Sequence, residues 1–347
     1  MANINTLPVI TWRWVQANDG QVKLPYVGNK DFKAYESQEF LGKEFEAHFE
    51  NIQYGLSDEV LEVNEKHANW RNDIQVEAGQ FAEEKYEIKL SEDQVDFVDK
   101  HRIHLKEGAK ARLIFDIKSE ADLDFFRNSL IKIKLEKFSH LTLVLVQNLS
   151  DEATNLASIV ASVDEGAKVE LIQVDLGSKQ TFFNYVVDLL EKDATSLIHA
   201  AYFVDGEREH DINYKINHIG ELTNSDMQIN GALKDTARKR FSGTLNFLTG
   251  SHGSVGNEEE FVTLIDEDVR SIAVPLLLAR EHDIMGNHAA SAGRIDEDII
   301  IYLMSRGLSL DEAKRLAVEA KMTPTLDLIP DEKIKEEVKL FIHEGII

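Results

Sequence analysis

A mainly-β fold, a solenoid or a sandwich of short strands, is predicted by three observations on the 347-residue chain. Its five prolines are Pro8, Pro25, Pro275, Pro324 and Pro330, so the long middle lacks the one residue that cannot donate to a strand ladder. That middle alternates apolar and polar residues with the two-residue period of half-buried strands. A loose repeat precedes the apolar runs: Glu107-Gly108-Ala109-Lys110 recurs as Glu165-Gly166-Ala167-Lys168. Weaker relatives stand at Lys192-Asp193-Ala194, Lys234-Asp235-Thr236-Ala237 and Asp266-Glu267-Asp268-Val269. Their spacing is irregular, which excludes a strict repeat but suits short strands joined by tight turns.

Taken in chain order, the length suits two domains or one elongated domain with small additions. Residues 1–90 read as a small mixed region, because Gln38 to Gln53 and Asp58 to Asn72 are rich in Glu, Lys, Ala and Phe at roughly helical spacing. Residues 91–293 form the β core. Within it Ala111, Leu113, Phe115 and Ile117 alternate with Arg112, Ile114 and Asp116, Ile212, Tyr214, Ile216 and His218 with Asn213, Lys215 and Asn217, and Phe241, Gly243, Leu245 and Phe247 with Ser242, Thr244 and Asn246. Leu141 to Val146 is a continuous apolar run, which predicts burial on both faces. Residues 294–347 read as a short amphipathic helical domain. Ser309 with Glu312 is a capping-box pair ahead of Ala313, Leu316, Ala317 and Ala320. Pro330 is placed in the first turn of a further helix, whose Ile334, Val338, Phe341 and Ile342 share a face and which Gly345 stops.

Composition removes several function classes. With no cysteine, the chain by itself holds no disulfide, Cys-based zinc site, cysteine nucleophile or thiolate-ligated cluster. The formal charge of −24 is spread along the chain and would repel a phosphate backbone, so no nucleic-acid partner is expected. The longest apolar runs, Leu276 to Ala279 and Ile299 to Met304, fall far short of the roughly 20 residues that span a bilayer. The first residues carry neither a basic start nor an apolar stretch, so a cytoplasmic chain with no membrane partner is expected.

No standard catalytic motif is present. Gly250, Gly253 and Gly256 are evenly spaced, but Asn257-Glu258-Glu259-Glu260 follows, and three carboxylates would repel a phosphate at a helix start. A polar turn is the expected reading of that stretch. Among the twelve histidines His288 is singled out, because the small residues around it leave an imidazole room to meet an ion or another chain. His282, Glu281 and Asp283 are close in sequence to it, at a spacing that fits no zinc pattern.

The stretch Asn287-His288-Ala289-Ala290-Ser291-Ala292-Gly293-Arg294-Ile295-Asp296 is followed by Ile301-Tyr302-Leu303-Met304-Ser305-Arg306-Gly307-Leu308 and Glu312-Ala313-Lys314-Arg315-Leu316. Together these resemble the C-terminal signature of the SufB/SufD family of iron–sulfur cluster assembly proteins. Asn217-His218-Ile219-Gly220, Ser225-Asp226, Gly231-Ala232-Leu233-Lys234-Asp235 and Phe241-Ser242-Gly243 resemble the family's preceding strand motifs, in the same order. The likeness is strong from about residue 200 to 320 and weak before it. SufB-type chains supply a sulfur-receiving cysteine and carry glutamate directly after the motif histidine. Here Ala289 follows, and cysteine is absent, so the chain resembles the SufD branch.

The resemblance implies a right-handed parallel β-helix core, flanked by a small N-terminal α/β region and a C-terminal α-helical one. It implies a scaffold subunit without catalytic turnover, paired with a SufB-like subunit and with a SufC-like ABC ATPase that hydrolyses ATP. A homodimer is implied when SufB is absent. The motif histidine matches His288, implying a ligand for a transient iron–sulfur cluster at the SufB interface, a role imidazole can fill. A cysteine that this branch can carry just before the histidine is absent, with Met285 and Asn287 in its neighbourhood. SufC docking is expected on the C-terminal helices, around Leu310, Ala313 and Leu316, which could also cap the open β-helix end. The family also implies a reduced flavin at the assembled complex, although this sequence has no dinucleotide fingerprint. The alternative function is a stand-alone β-helix enzyme acting on acidic polysaccharide. Against it stand the charge and the lack of a paired-carboxylate motif.

Overall fold

The computed structural model describes residues 1–9, 17–25, 32, 34–120 and 122–346. Its body is a parallel β-solenoid of two facing eight-stranded sheets, about eight turns long. The odd sheet holds β3 (Trp70–Val76), β5 (Asp96–Leu105), β7 (Phe126–Leu135), β9 (Thr154–Val163), β11 (Gln180–Leu189), β13 (Glu209–His218), β15 (Arg238–Phe247) and β17 (Arg270–Ala279). The even sheet holds β4 (Phe81–Leu90), β6 (Lys110–Ser119), β8 (His140–Asn148), β10 (Lys168–Asp175), β12 (Thr195–Val204), β14 (Asn224–Leu233), β16 (Ser254–Leu264) and β18 (Ile284–Arg294). Each strand pairs in parallel register with the strand two ahead of it, so like positions stack into rows. Inward rows of Leu, Ile, Val and Phe fill the lumen between the sheets. Both faces of most strands are covered, which explains why the apolar run in β8 is continuous.

The loose repeat marks the corners. Left-handed residues recur on one side at Gly79, Gly108, Phe138, Gly166, Asp193, Leu222 and Gly253, 27 to 31 residues apart. Each donates its backbone N–H to a carbonyl of the next corner, as Gly108 does to Lys137 at 2.9 Å and Leu222 to His252 at 2.8 Å. A buried alanine follows at Ala109, Ala167 and Ala194, where a small side chain lets the chain turn back into the lumen. The irregular spacing seen in sequence has a plain cause. Gly206 and Asp235 belong to the opposite corner of the coil, so the chain interleaves two series of corners.

The flanks are covered differently. On the odd sheet lie β1 (Ala2–Ile4), β2 (Gly20–Val22) and α2 (Asp58–His67), with Ile4, Val22, Leu56 and Val60 against Val98, Phe126, Leu156 and Phe182. Helical structure before the solenoid is shorter than its composition suggests. Within Gln38 to Gln53 only α1 (Lys43–Ala47) is α-helical, and its N-cap, Gly42, offers no side-chain bond. α2 stops at His67, because Asn69 donates its side-chain amide to the Asp96 carbonyl at 2.8 Å and Trp70 enters the sheet.

On the even sheet lie α4 (Leu310–Leu326) and α5 (Glu332–Gly345). Val318, Met322, Leu326, Ile334, Val338 and Ile342 cover Val144, Val146, Ile172, Val174 and Phe203. The helices therefore lie along the flank, not across the end of the coil. The α4 capping box is complete: Glu312 N donates to Ser309 Oγ at 3.2 Å and Ser309 N to Glu312 Oε2 at 2.7 Å. Pro330 sits one residue before the N-cap, Asp331, rather than in the first turn, and Gly345 is the last helical residue rather than a stop beyond it. α3 (Glu297–Ser305) buries none of its residues.

Candidate functional site

The C-terminal turn is where the rows run out. Among the described residues β17 and β18 pair only backward, so each is the open edge of its sheet. Gly286, His288 and Ala290 of β18 stand in register with Gly256, Glu258 and Glu260 of β16. In-register parallel partners share a face. His288 therefore heads an inward row whose lower members, Ile198, Met227 and Glu258, are buried. Without a further turn above it, His288 is exposed. Its neighbours Ala289, Ala290, Ser291 and Ala292 add no bulk, and a Cβ at Gly286 would overlap Leu277 across the lumen.

Beneath that turn the lumen changes character. Reading Asn257–Glu260 as a polar turn is corrected here: only Gly250 and Gly253 take left-handed turn conformations, and the three glutamates lie on β16. Three identical residues hide a two-residue alternation in which Glu258 and Glu260 point inward and Glu259 outward. Glu260 accepts from Lys239 Nζ at 2.5 Å and from the Tyr202 hydroxyl at 2.9 Å. Burial pulls the Lys239 ammonium down from its ordinary value, opposed by the Glu260 charge. Glu258 has no such partner. Neither of its carboxyl oxygens has a hydrogen bond, and it is wholly buried. Its carboxyl reaches across to Gly243, where any Cβ would overlap it, so glycine is what makes room. Burial, together with the charge of Glu260, pushes Glu258 up to about 8, so it is held as a neutral acid at neutral pH.

The polar interior continues deeper. The Tyr214 hydroxyl donates to Gln173 Oε1 at 2.7 Å, and Gln173 bonds Asp175, which burial raises to about 6. His218, inside the motif Asn217–Gly220, is clamped between Thr223 Oγ1 at 2.8 Å and Ser225 Oγ at 2.9 Å and stacked on Phe247. Burial lowers it to about 3, so it is a neutral structural histidine.

The other residues singled out by sequence lie apart. His282 and His288 do not converge, and no group of three or more metal-ligating side chains occurs among the described residues. Instead His252 Nδ1 pairs with Asp283 at 3.0 Å. Ala313 is buried against the chain itself, whereas Leu310 and Leu316 are 45% and 44% exposed. Leu310 lines one groove with Ile301 of α3, where Ile299, Tyr302 and Met304 are exposed too. A single imidazole is a competent iron ligand but cannot by itself hold a cluster, so the donor chemistry fits a site that another chain completes.

A parallel β-solenoid with an open last turn, an imidazole on that turn and helices along one flank defines a class of open-ended solenoid proteins. Within it the chain belongs to the SufBD family: residues 88–321 match the family described as SUF system FeS cluster assembly, SufBD core domain. It is 32% identical over 141 residues to the iron-sulfur cluster assembly protein SufD of Bacillus subtilis, covering 41% of this chain and 32% of that protein. It is 27% identical over 209 residues to an iron-sulfur cluster assembly SufBD family protein of Mycobacterium leprae, covering 60% of this chain and 24% of that protein. A SufBD family protein of Staphylococcus saprophyticus is 25% identical over 222 residues, covering 63% of this chain and 48% of that protein. The chain thus matches from a quarter to about half the length of these relatives.

Proposed function

We propose that the chain is a SufD-type scaffold subunit, which pairs with a SufB-like subunit through its open last turn and presents His288 to a nascent iron–sulfur cluster at that junction. The observation that carries this reading is the position of His288: exposed, on a strand whose outer edge is open among the described residues, at the head of an inward row. The cluster is the cargo, and the partner supplies the thiolate that a chain without cysteine lacks. The absence of glutamate after His288 supports the SufD over the SufB role. A SufC-like ABC ATPase docks on the exposed apolar surface of α3 and the start of α4, and ATP hydrolysis belongs to it. We take residues 1–90, with the first solenoid strands β3 and β4 at its end, as the N-terminal unit, 91–293 as the core and 294–347 as the partner-docking unit, and the cytoplasm as the compartment. Without the SufB-like subunit the open edge is available to a second copy. The flavin forms no part of this reading. No helix among the described residues is long and apolar enough to cross a membrane.

The test is co-purification after co-expression with the SufB-like and SufC-like chains of the same organism. Deleting everything after Asp296 is expected to abolish SufC-like retention, but it also uncovers Val144, Ile172 and Phe203 on the even sheet. The double variant Ile301→Asp, Leu310→Asp is the cleaner probe, since both side chains are exposed. It is expected to lose the SufC-like chain while keeping the SufB-like one. Retention of both partners by that variant would contradict the docking assignment.

A further inference from the structure

On the outer face of the odd sheet, away from the open turn, lies a cavity of about 500 Å³ between the first residues of the chain and the segment leading into α2. Asn213 and Lys215 of β13 and Thr244 of β15 line it from the sheet, Leu7 from the N-terminal segment, and Asp58 and Glu59 from the start of α2. Lys215 differs from the buried lysines of this fold. Lys100, Lys132, Lys134 and Lys239 are buried, and each has a carboxylate oxygen at 2.8, 2.6, 2.5 and 2.5 Å respectively. Half-buried Lys215 has no such partner among the described residues. Burial lowers its ammonium, with only partial opposition from Asp188, whose own carboxyl burial raises and which accepts from Asn217 at 2.6 Å.

A second, independent observation lies beside it. Thr244 is 1% exposed, lines the same cavity, and its hydroxyl has no hydrogen-bond partner. A buried hydroxyl without a partner is costly, and so is a desolvated ammonium without a countercharge. Asn213 likewise makes no side-chain hydrogen bond among the described residues, whereas Asn184 on the same wall is fully used, by Gly55 and Asn5. The sheet therefore turns one cation and two further donors toward a partly open space, and none of the three is bonded to an acceptor among the described residues.

We propose that this cavity binds a small ligand through an oxyanion group, a carboxylate or a phosphate, with Lys215 as the countercharge and Thr244 and Asn213 as hydrogen-bond donors. The exposed carboxylates of Asp58 and Glu59 and the −24 formal charge select against polyanions, so the ligand carries one oxyanion group on a small body. This site is separate from His288 and does not rest on the scaffold reading.

Thermal unfolding of the full chain at low ionic strength tests it, with inorganic phosphate and acetate titrated separately. Ligand that binds only the folded state raises the midpoint in a saturable way. The wild type is expected to respond to at least one of the two, and the responding arm tells phosphate from carboxylate. Lys215→Met is expected to fold and to need at least tenfold more anion for the same shift, and Thr244→Val to weaken the response in the same direction. Lys137→Met, a charge change on an exposed corner, should respond as the wild type does. A wild type indifferent to both anions, or a Lys215→Met chain that responds like the wild type, overturns the proposal.

Discussion

Lys239→Met is expected to destabilise the folded chain by about 3–5 kcal/mol, the usual cost of removing one partner from a buried ion pair. The mechanism is local. Lys239 is wholly buried and is the only charged partner of Glu260 among the described residues, at 2.5 Å. Without it Glu260 keeps only the Tyr202 hydroxyl, and the unpaired Glu258 lies two residues away on the same inward face. Two carboxyls would then lie two residues apart on one inward face, with no cation paired to either among the described residues. Methionine fills much of the same volume, so packing loss contributes little, and the effect reads out the charge. Denaturant unfolding measures it. The double variant Lys239→Met, Glu260→Met should recover most of the loss, because replacing both members of a buried pair by apolar groups is often neutral or better.

Glu258→Gln is expected to do the opposite. Burial raises the folded-state carboxyl from its ordinary 4.5 to about 8. A raised folded value means that the native chain holds a proton which the unfolded chain has released. The stabilising contribution of that proton is whole below pH 4.5 and is lost as pH rises through about 8. At about 1.36 kcal/mol per pH unit, the wild type gives up on the order of 3 kcal/mol between pH 4.5 and 7 at this one site. Glutamine is nearly isosteric with the neutral acid and does not titrate. The variant should therefore be more stable than the wild type at pH 7 and 8, and equal to it near pH 4.5. Charged and titratable groups facing this carboxyl are Glu260 and Lys239 in the lumen and His288 in the turn above. Stability profiles from pH 4.5 to 8 that run parallel for the two chains would contradict the assignment.

What the sequence makes legible, and what it does not, follows from the forces involved. The strands are readable because a row of inward side chains must be apolar: Leu113, Ile216 and Leu245 announce their strands by alternation alone. The capping box at Ser309 is equally plain, since both halves of its bonding lie within four residues. The repeat is blurred because left-handed corners accept Gly, Asp, Phe or Leu once the stacked N–H bond is made, and because two corners alternate. The position of the C-terminal helices is not legible, because an amphipathic stripe shows that a face is buried without showing against what. His288 is readable as an accessible imidazole, yet its place at the head of an inward row depends on register. The lumen acids are hardest. A run of three glutamates looks like solvated surface, and only the strand phase shared with Gly256 and Val262 shows that two of them point inward.

The most direct measurement on the central claim is iron and acid-labile sulfide content. The chain is co-expressed anaerobically with the SufB-like and SufC-like chains of its own organism, and the purified complex is compared with that containing His288→Ala. His288 is exposed and makes no hydrogen bond or ion pair among the described residues, so the variant should assemble normally. The variant complex is expected to be intact, with iron and sulfide both well below the wild-type values. An intact complex with unchanged iron and sulfide would contradict the role proposed for His288.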